Sequence, residues 1–359
     1  MSHLVIMAAG TGGHIIPGLA VAEEMQRRGW TVSWIGTEAG LENKLVPAKG
    51  LPLDRLAFSG MRGKGAGHAL RGAVGFVKAL WQARRVFKQR GADAVLGMGG
   101  YVCLPGGLMA WLTGRPLMLI NADAAMLLSN RVLARFAKRI GFGFDGAAAA
   151  TTKRAVVTGN PVRAEIETLP PPPQRLLGRE GPLRLLVVGG SLGARAINAV
   201  VPAALALWPQ DERPIVKHQT GAANLAEVQA AYAAAGVAGE SADVLPFIDD
   251  MAAALAEADL VLCRAGAITV SELCAAGSAA ILVPLVVSTT SHQRDNARFL
   301  AQHGAGIHLP QEELNAKQLF ALVNEHHRPQ LALMGDKARA LSRPRAAARV
   351  ADEIEGMLR

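Results

Sequence analysis

Aromatic residues make up only 4% of this 359-residue chain, too few for the stacking platform that binds single-stranded nucleic acid. Cysteine is scarcer still. Cys103, Cys263 and Cys274 are widely spaced and form no C-x-x-C pair, which argues against a disulfide framework or a zinc site and points to a reducing cytoplasm. No uninterrupted apolar run reaches the ~20 residues that span a bilayer. The chain enters an apolar stretch within a few residues of Met1, with no charged region ahead of it, so no signal peptide is expected. Acidic residues are outnumbered, leaving a formal charge of +9. Such a charge suits nucleic acid, an anionic membrane face or a phosphorylated substrate, and the shortage of aromatics argues against the first.

What is present is a globular composition, half apolar and 19% charged. The length is too great for one ordinary core, so two domains are expected. Leu4-Val5-Ile6-Met7 reads as a buried strand, Ala9-Gly10-Thr11-Gly12-Gly13-His14 as a glycine turn, and the residues around Pro17 as the first turn of a helix. Thr31–Gly36, Ala94–Met98 and Leu117–Ile120 read as further strands, alternating with helical patterns as in a parallel sheet with crossover helices. Gly159-Asn160-Pro161-Val162-Arg163 is turn chemistry, and Leu169-Pro170-Pro171-Pro172-Pro173 reads as a stiff extended linker. The opening pattern then returns in Leu183–Val188 followed by Gly189-Gly190-Ser191-Leu192-Gly193. Strands near Ile215-Val216, Leu260–Leu262 and Ala280–Val283 follow, and Asp336–Arg359 reads as terminal helix. The expected fold is α/β, with two similar doubly wound parallel-sheet domains.

A strand, a glycine turn and a helix N-terminus make an anion site of free N–H groups and a favourable dipole. His14 is the titratable side chain of the first turn, with a reference pKa near neutrality, suited to taking a proton from an attacking hydroxyl. The dinucleotide spacing fails, because the third glycine position is Ile15 in the first turn, and the second turn fails at Leu192. Glu38 stands where a ribose-binding acid would, so an oxidoreductase is weakened, not excluded. Gly63-Lys64-Gly65 is no P-loop. In Cys263–Glu272, Thr269-x-x-Glu272 fits a capping box, and by spacing alone that reading outweighs a ribose-binding role for Glu272. The basic segment from Gly60 to Arg90 carries Arg62, Lys64, Arg71, Lys78, Arg84, Arg85, Lys88 and Arg90 around Phe76, Val77, Leu80, Trp81 and Phe87. It fits an amphipathic helix on an anionic membrane and, equally, an ordinary surface helix with a core-facing stripe. Arg131, Arg135, Lys138 and Arg139 offer a second basic face.

These motifs together resemble, over essentially the whole length, the MurG family of N-acetylglucosaminyltransferases of bacterial peptidoglycan synthesis. The resemblance rests on Gly10–His14, Ser59–Gly65, Gly97-Met98-Gly99-Gly100-Tyr101, Gly159–Arg163, Gly189–Ala194, His218-Gln219-Thr220-Gly221, Phe247–Met251 and Cys263–Glu272, in that order. It implies the GT-B architecture, two Rossmann-like domains facing a cleft: residues 1–163 on the acceptor and membrane side, 164–340 binding the UDP-sugar, and a C-terminal helix over 341–359 returning toward the first. It implies inverting transfer of N-acetylglucosamine from UDP-N-acetylglucosamine to the muramyl 4-hydroxyl of lipid I, giving lipid II. The site would be the cytoplasmic face of the plasma membrane, with the protein bound peripherally.

By matching positions, the donor would meet Thr11, Gly12 and Gly13, with Arg163 and Ser191 toward the phosphates. Ile248 would meet uracil through its backbone, Ala267, Ile268, Thr269, Val270 and Ser271 would cradle phosphate and ribose, Glu272 would take the ribose hydroxyls and Gln293 the sugar. Arg62, Lys64 and Tyr101 would lie on the acceptor and membrane side. The family's donor-contacting asparagine falls at Asp123, with Asn121 as the other candidate for its role. The loop Val286–Ser291 also departs from the family pattern. His14 would be the catalytic base, and no cofactor or essential metal is expected. A UDP-sugar 2-epimerase of the same fold, a nicotinamide-dependent dehydrogenase and a non-catalytic basic membrane-surface protein are the rival readings.

Overall fold

The computed structural model describes residues 1–10, 12–58, 66–190, 193–237, 241–285 and 292–359. It divides into two compact units, Met1–Pro161 with Arg343–Arg359, and Val162–Ser342. Strands in the first are β1 (His3–Ala8), β2 (Thr31–Thr37), β3 (Leu53–Leu56), β4 (Ala94–Gly99), β5 (Leu117–Asn121), β6 (Arg139–Phe142) and β7 (Ala155–Val157). All pair in parallel in the order β3-β2-β1-β4-β5-β6-β7. The second unit holds β8 (Arg184–Val188), β9 (Ile215–Gln219), β10 (Ala242–Leu245), β11 (Leu260–Cys263), β12 (Ala280–Leu282) and β13 (Ile307–His308). Their order, β10-β9-β8-β11-β12-β13, is again all parallel. Both sheets are therefore the doubly wound α/β kind, in which the strand order reverses beside the first strand and ligands bind outside the carboxyl ends at that reversal.

Burial on both faces explains the continuous apolar runs of the central strands. Leu4, Ile6, Trp34, Leu96 and Met118 form one core face with Ile15 and Val21 of the helix Gly12–Arg27, and Val350, Ala351 and Ile354 of the C-terminal helix Ala346–Gly356 pack into the same cluster. Arg28 ties that helix down through Asp352 at 2.7 Å and Glu355 at 3.0 Å. The helix Gly12–Arg27 approaches the sheet closely at Gly18, where a Cβ would lie 2.6 Å from the Trp34 ring.

Four local readings are corrected by these elements. The first helix begins at Gly12, so Pro17 sits inside it rather than in its first turn, and is buried. The proline run is not an extended linker. Pro172–Leu176 is a short helix with Pro172 at its N-terminus, where a missing N–H costs nothing, and Pro172 and Leu176 are buried. The terminal segment is two helices, Arg328–Ala340 and Ala346–Gly356, because Pro344 and the left-handed Arg345 (φ 59°) interrupt it. Thr269 and Glu272 form no capping box: the helix Ala267–Ala276 is capped at Gly266 without a side-chain hydrogen bond, and Glu272 is bound elsewhere.

Candidate active site

In the first unit, the strand-order reversal lies between β1 and β4, and two glycine turns meet there. Ala9 N–H donates to the Gly99 carbonyl at 3.3 Å. Gly99 and Gly100 have φ of 132° and 89°, and a Cβ on Gly100 would sit 2.6 Å from the Ala9 carbonyl oxygen. The backbone approach thus requires glycine. His14, two residues into the helix, lays its ring over Gly99; a Cβ there would come within 2.6 Å of Cδ2 and 2.7 Å of Nε2. Its Nδ1 is 3.4 Å from the Ala9 carbonyl oxygen, so Nδ1 carries the proton that is donated and Nε2 presents the lone pair. Burial lowers the imidazole pKa below 6.5, opposed by the Ala9 bond and the charge of Asp123, so the ring is neutral and able to accept a proton at pH 7.

At the end of β5, Asn121 is fully buried and holds the next loop. Its Nδ2 donates to the Asp123 and Ala125 carbonyls at 2.8 and 3.1 Å, and its Oδ1 accepts from Leu127 N–H at 2.9 Å. The Asn130 amide adds a bond to Asn121 Oδ1 at 3.2 Å. Asn121 is thus committed to shaping the loop, whereas Asp123 is only partly buried. Tyr101 follows the second glycine turn and is exposed. Thr11, Arg62, Lys64 and the Ser59–Gly65 motif lie outside the described residues, as do Ser191 and Val286–Ser291.

In the second unit, the reversal lies between β8 and β11. Gly189 and Gly193 follow β8. Gly193 has φ 74°, and a Cβ there would strike the Thr220 carbonyl oxygen at 1.9 Å. Beneath that turn, buried His218 bridges Tyr232 Oη at 3.0 Å and Asn198 Oδ1 at 3.1 Å, while Asn198 and Asn224 each donate to the Thr220 carbonyl at 3.0 Å. Burial pushes the His218 pKa down to about 4, so this is a neutral structural network.

After β11 the helix Ala267–Ala276 presents the N–H groups of its first turn, at Ala267, Ile268 and Thr269, while Val270 N–H already bonds Gly266. The side chain of Val270 is core, and Ser271 Oγ donates to the Ala267 carbonyl at 2.9 Å. Glu272 is buried, and its Oε1 accepts from Arg163 Nε at 2.9 Å. Burial raises the Glu272 pKa and Arg163 counters it. Ile248 is buried beside the exposed Phe247. Gln293 Oε1 accepts from Leu285 N–H at 2.8 Å, and buried Asn296 donates to the Ala265 carbonyl at 3.0 Å, seating the loop after β11.

Sequence reasoning missed Glu42, whose buried carboxylate binds the Gly10 turn at 3.0 Å. The nearby Gly36 and Gly40 were the available signal.

The model "Glycosyltransferase family 28 N-terminal domain" matches residues 4–142, and "Glycosyltransferase family 28 C-terminal domain" matches residues 184–352. The chain is a glycosyltransferase. It is 66% identical to the UDP-N-acetylglucosamine–N-acetylmuramyl-(pentapeptide) pyrophosphoryl-undecaprenol N-acetylglucosamine transferase of Methylibium petroleiphilum, over 99% of this chain and 98% of that one. The transferase of the same name from Chromobacterium violaceum is 59% identical over 97% of this chain and 96% of its own. The crystal structure of Acinetobacter baumannii MurG superposes with a TM-score of 0.85 at 38% identity, covering 99% of this chain and all of that one (100%). The calicheamicin glycosyltransferase CalG4, at 16% identity and a TM-score of 0.70, shares the fold. The chain belongs to glycosyltransferase family 28, among its N-acetylmuramyl-(pentapeptide) pyrophosphoryl-undecaprenol N-acetylglucosamine transferases.

One substitution isolates the geometry around His14. Gly99→Ala places a methyl against the imidazole and strains a backbone at φ 132°. We expect turnover to fall roughly 10- to 100-fold, as for an ångström-scale misplacement of a reacting group. UDP affinity, read by thermal shift, should stay at the parent value.

Proposed function

We propose that this chain moves N-acetylglucosamine from UDP-N-acetylglucosamine to the muramyl 4-hydroxyl of an undecaprenyl-pyrophosphoryl-muramyl peptide, with inversion at the anomeric carbon, in peptidoglycan synthesis. The observation that carries this reading is the full-length likeness to the Methylibium transferase. The geometry supplies a mechanism. His14 Nε2 takes the proton of the acceptor hydroxyl as its oxygen attacks the anomeric carbon, and the bond to UDP breaks with the electron pair leaving on the diphosphate. The first-turn N–H groups of Ala267, Ile268 and Thr269 and the Arg163 guanidinium stabilise that charge. Glu272 accepts the ribose hydroxyls, the backbone at Ile248 reads uracil, and Gln293 orients the sugar. Gly12, Gly13 and Asp123 border the reacting centre. Incubating the chain with UDP-N-acetylglucosamine and a lipid I analogue should give a disaccharide product and UDP. UDP release without disaccharide would reject the reading.

The acceptor's lipid calls for a membrane face, and the helix Ala66–Arg90 suits one. Its Ala79, Ala83 and Phe87 enter the core, which accounts for one apolar stripe. A second stripe stays exposed: Val74, Val77 and Trp81, the last 63% accessible with Arg84 stacked 5.6 Å over its ring. Lys78, Arg85 and Lys88 lie exposed on the same helix, and Trp111, Leu112 and Leu128 of the same unit are exposed apolar residues as well. Among the described residues no helix is long and apolar enough to cross a membrane. Anionic vesicles should pull the chain down, with binding lost on raising salt and cut by Trp81→Glu; equal binding to neutral vesicles in high salt would contradict this surface.

A further inference from the structure

The carboxylate of Glu42 has no part in the reaction scheme above, yet it is built into the first glycine turn. Glu42 opens the short helix Glu42–Ala48 after β2 and is fully buried. Its Oε2 accepts from Gly10 N–H at 3.0 Å, and its Oε1 accepts from Thr37 N–H at 2.9 Å and from Thr37 Oγ1 at 2.6 Å. Leu41 N–H adds a bond to the Gly10 carbonyl at 3.4 Å. Two glycines make the room. A Cβ on Gly40 would lie 2.2 Å from Oε2, and one on Gly36 would lie 2.7 Å from Cγ. Burial alone would raise the Glu42 pKa, but the hydrogen bonds from Thr37 and Gly10 prevail and lower it, so the group is an anion at pH 7.

In a doubly wound sheet, the turn after the first strand is where backbone N–H groups meet a ligand's phosphate. Here the Gly10 N–H is already taken by an internal anion. The corresponding turn of the second unit differs: Gly189 N–H bonds the Gln219 carbonyl at 3.3 Å and Gly193 N–H the Gly190 carbonyl at 2.9 Å, with no carboxylate on either. We propose that Glu42 is a positioning and specificity residue: its carboxylate fills the anion seat at Gly10, closing the first turn to phosphate and holding it in the form that keeps His14 over Gly99. This rests on the reading of His14 as the base. It gives the first turn a task in proton transfer rather than in phosphate binding.

Glu42→Gln tests it in the full-length chain with UDP-N-acetylglucosamine and a lipid I analogue. The amide oxygen can still serve Thr37, but its NH2 faces the Gly10 N–H donor to donor. Gly40→Ala is the second variant, which keeps the charge and displaces the carboxylate. Both should lower kcat roughly 10- to 100-fold. The donor KM and the thermal shift induced by UDP should stay within about twofold, and inorganic phosphate should inhibit Glu42→Gln more strongly than the parent. A parent-like kcat in both variants overturns the inference. So does a joint loss of kcat and UDP-induced stabilisation, which would make Glu42 a general support of the fold. If His14→Ala keeps parent turnover in the same assay, the base reading fails instead, so the two failures are told apart.

Discussion

His14→Ala lowers kcat by roughly 10²- to 10⁴-fold, the usual contribution of a positioned general base, while UDP stabilises the variant as well as it does the parent. The asymmetry follows from where the groups sit. His14 belongs to the first unit's turn, and the groups read as nucleotide ligands belong to the second. The pH profile sharpens the test. Burial holds the imidazole below its ordinary value of 6.5 despite the Ala9 carbonyl and Asp123. The proton-accepting form therefore dominates above that lowered value, and kcat/KM should rise with pH through an acid limb lying below 6.5. His14→Ala should lose this limb along with the rate. Stopped or coupled UDP-release assays across pH, with thermal shifts on the same samples, read both effects.

Arg163→Ala should do more harm than Glu272→Ala, although the two side chains share one ion pair. Arg163 is 36% exposed at its side chain and Glu272 only 10%. Removing the glutamate leaves a guanidinium that water can reach, whereas removing the arginine leaves a buried carboxylate without its partner. A fully buried orphan costs about 3–5 kcal/mol, and partial solvation of this pair brings the expected loss nearer 2 kcal/mol. The loss depends on pH with a definite sign. Burial already raises the Glu272 pKa, and without Arg163 it rises further. For an acid with a raised folded pKa, the stabilising preference for the proton is fully present below the unfolded value and lost as pH rises through the folded one. The Arg163→Ala deficit should therefore narrow between pH 8 and pH 5, measured by denaturant unfolding. A constant deficit across that range would mean that Glu272 does not stay buried in the variant. Donor KM should rise in both variants, because each removes a group assigned to the nucleotide.

The doubled architecture was legible in the chain because its signal is local. A run such as Leu4–Met7 or Leu185–Val188 is buried on both faces, and the glycines after it mark where the chain must turn. Edge strands were not legible. β3, β7 and β13 are short and half-buried, with too few apolar residues to show a period. Two local patterns misled, the first because a tertiary partner outbids a local one and the second because a proline breaks a periodic run. Thr269 and Glu272 have capping-box spacing, but Arg163 claims the carboxylate. The charged tail has helical periodicity throughout, yet Pro344 divides it. Glu42 was missed for a different reason. Its meaning depends on parallel pairing of β1 with β2, which brings Gly10 beside Thr37 and makes sense of the glycines at 36 and 40.

The reaction we propose is a single displacement in which a His14-activated hydroxyl attacks the sugar opposite its bond to UDP. The anomeric configuration of the disaccharide measures this directly. UDP-N-acetylglucosamine is an α-linked donor, so the proton coupling at the new glycosidic carbon, read by nuclear magnetic resonance on the purified product, should report a β linkage. An α linkage would mean retention, require a second displacement or a different face of attack, and contradict the role given to His14.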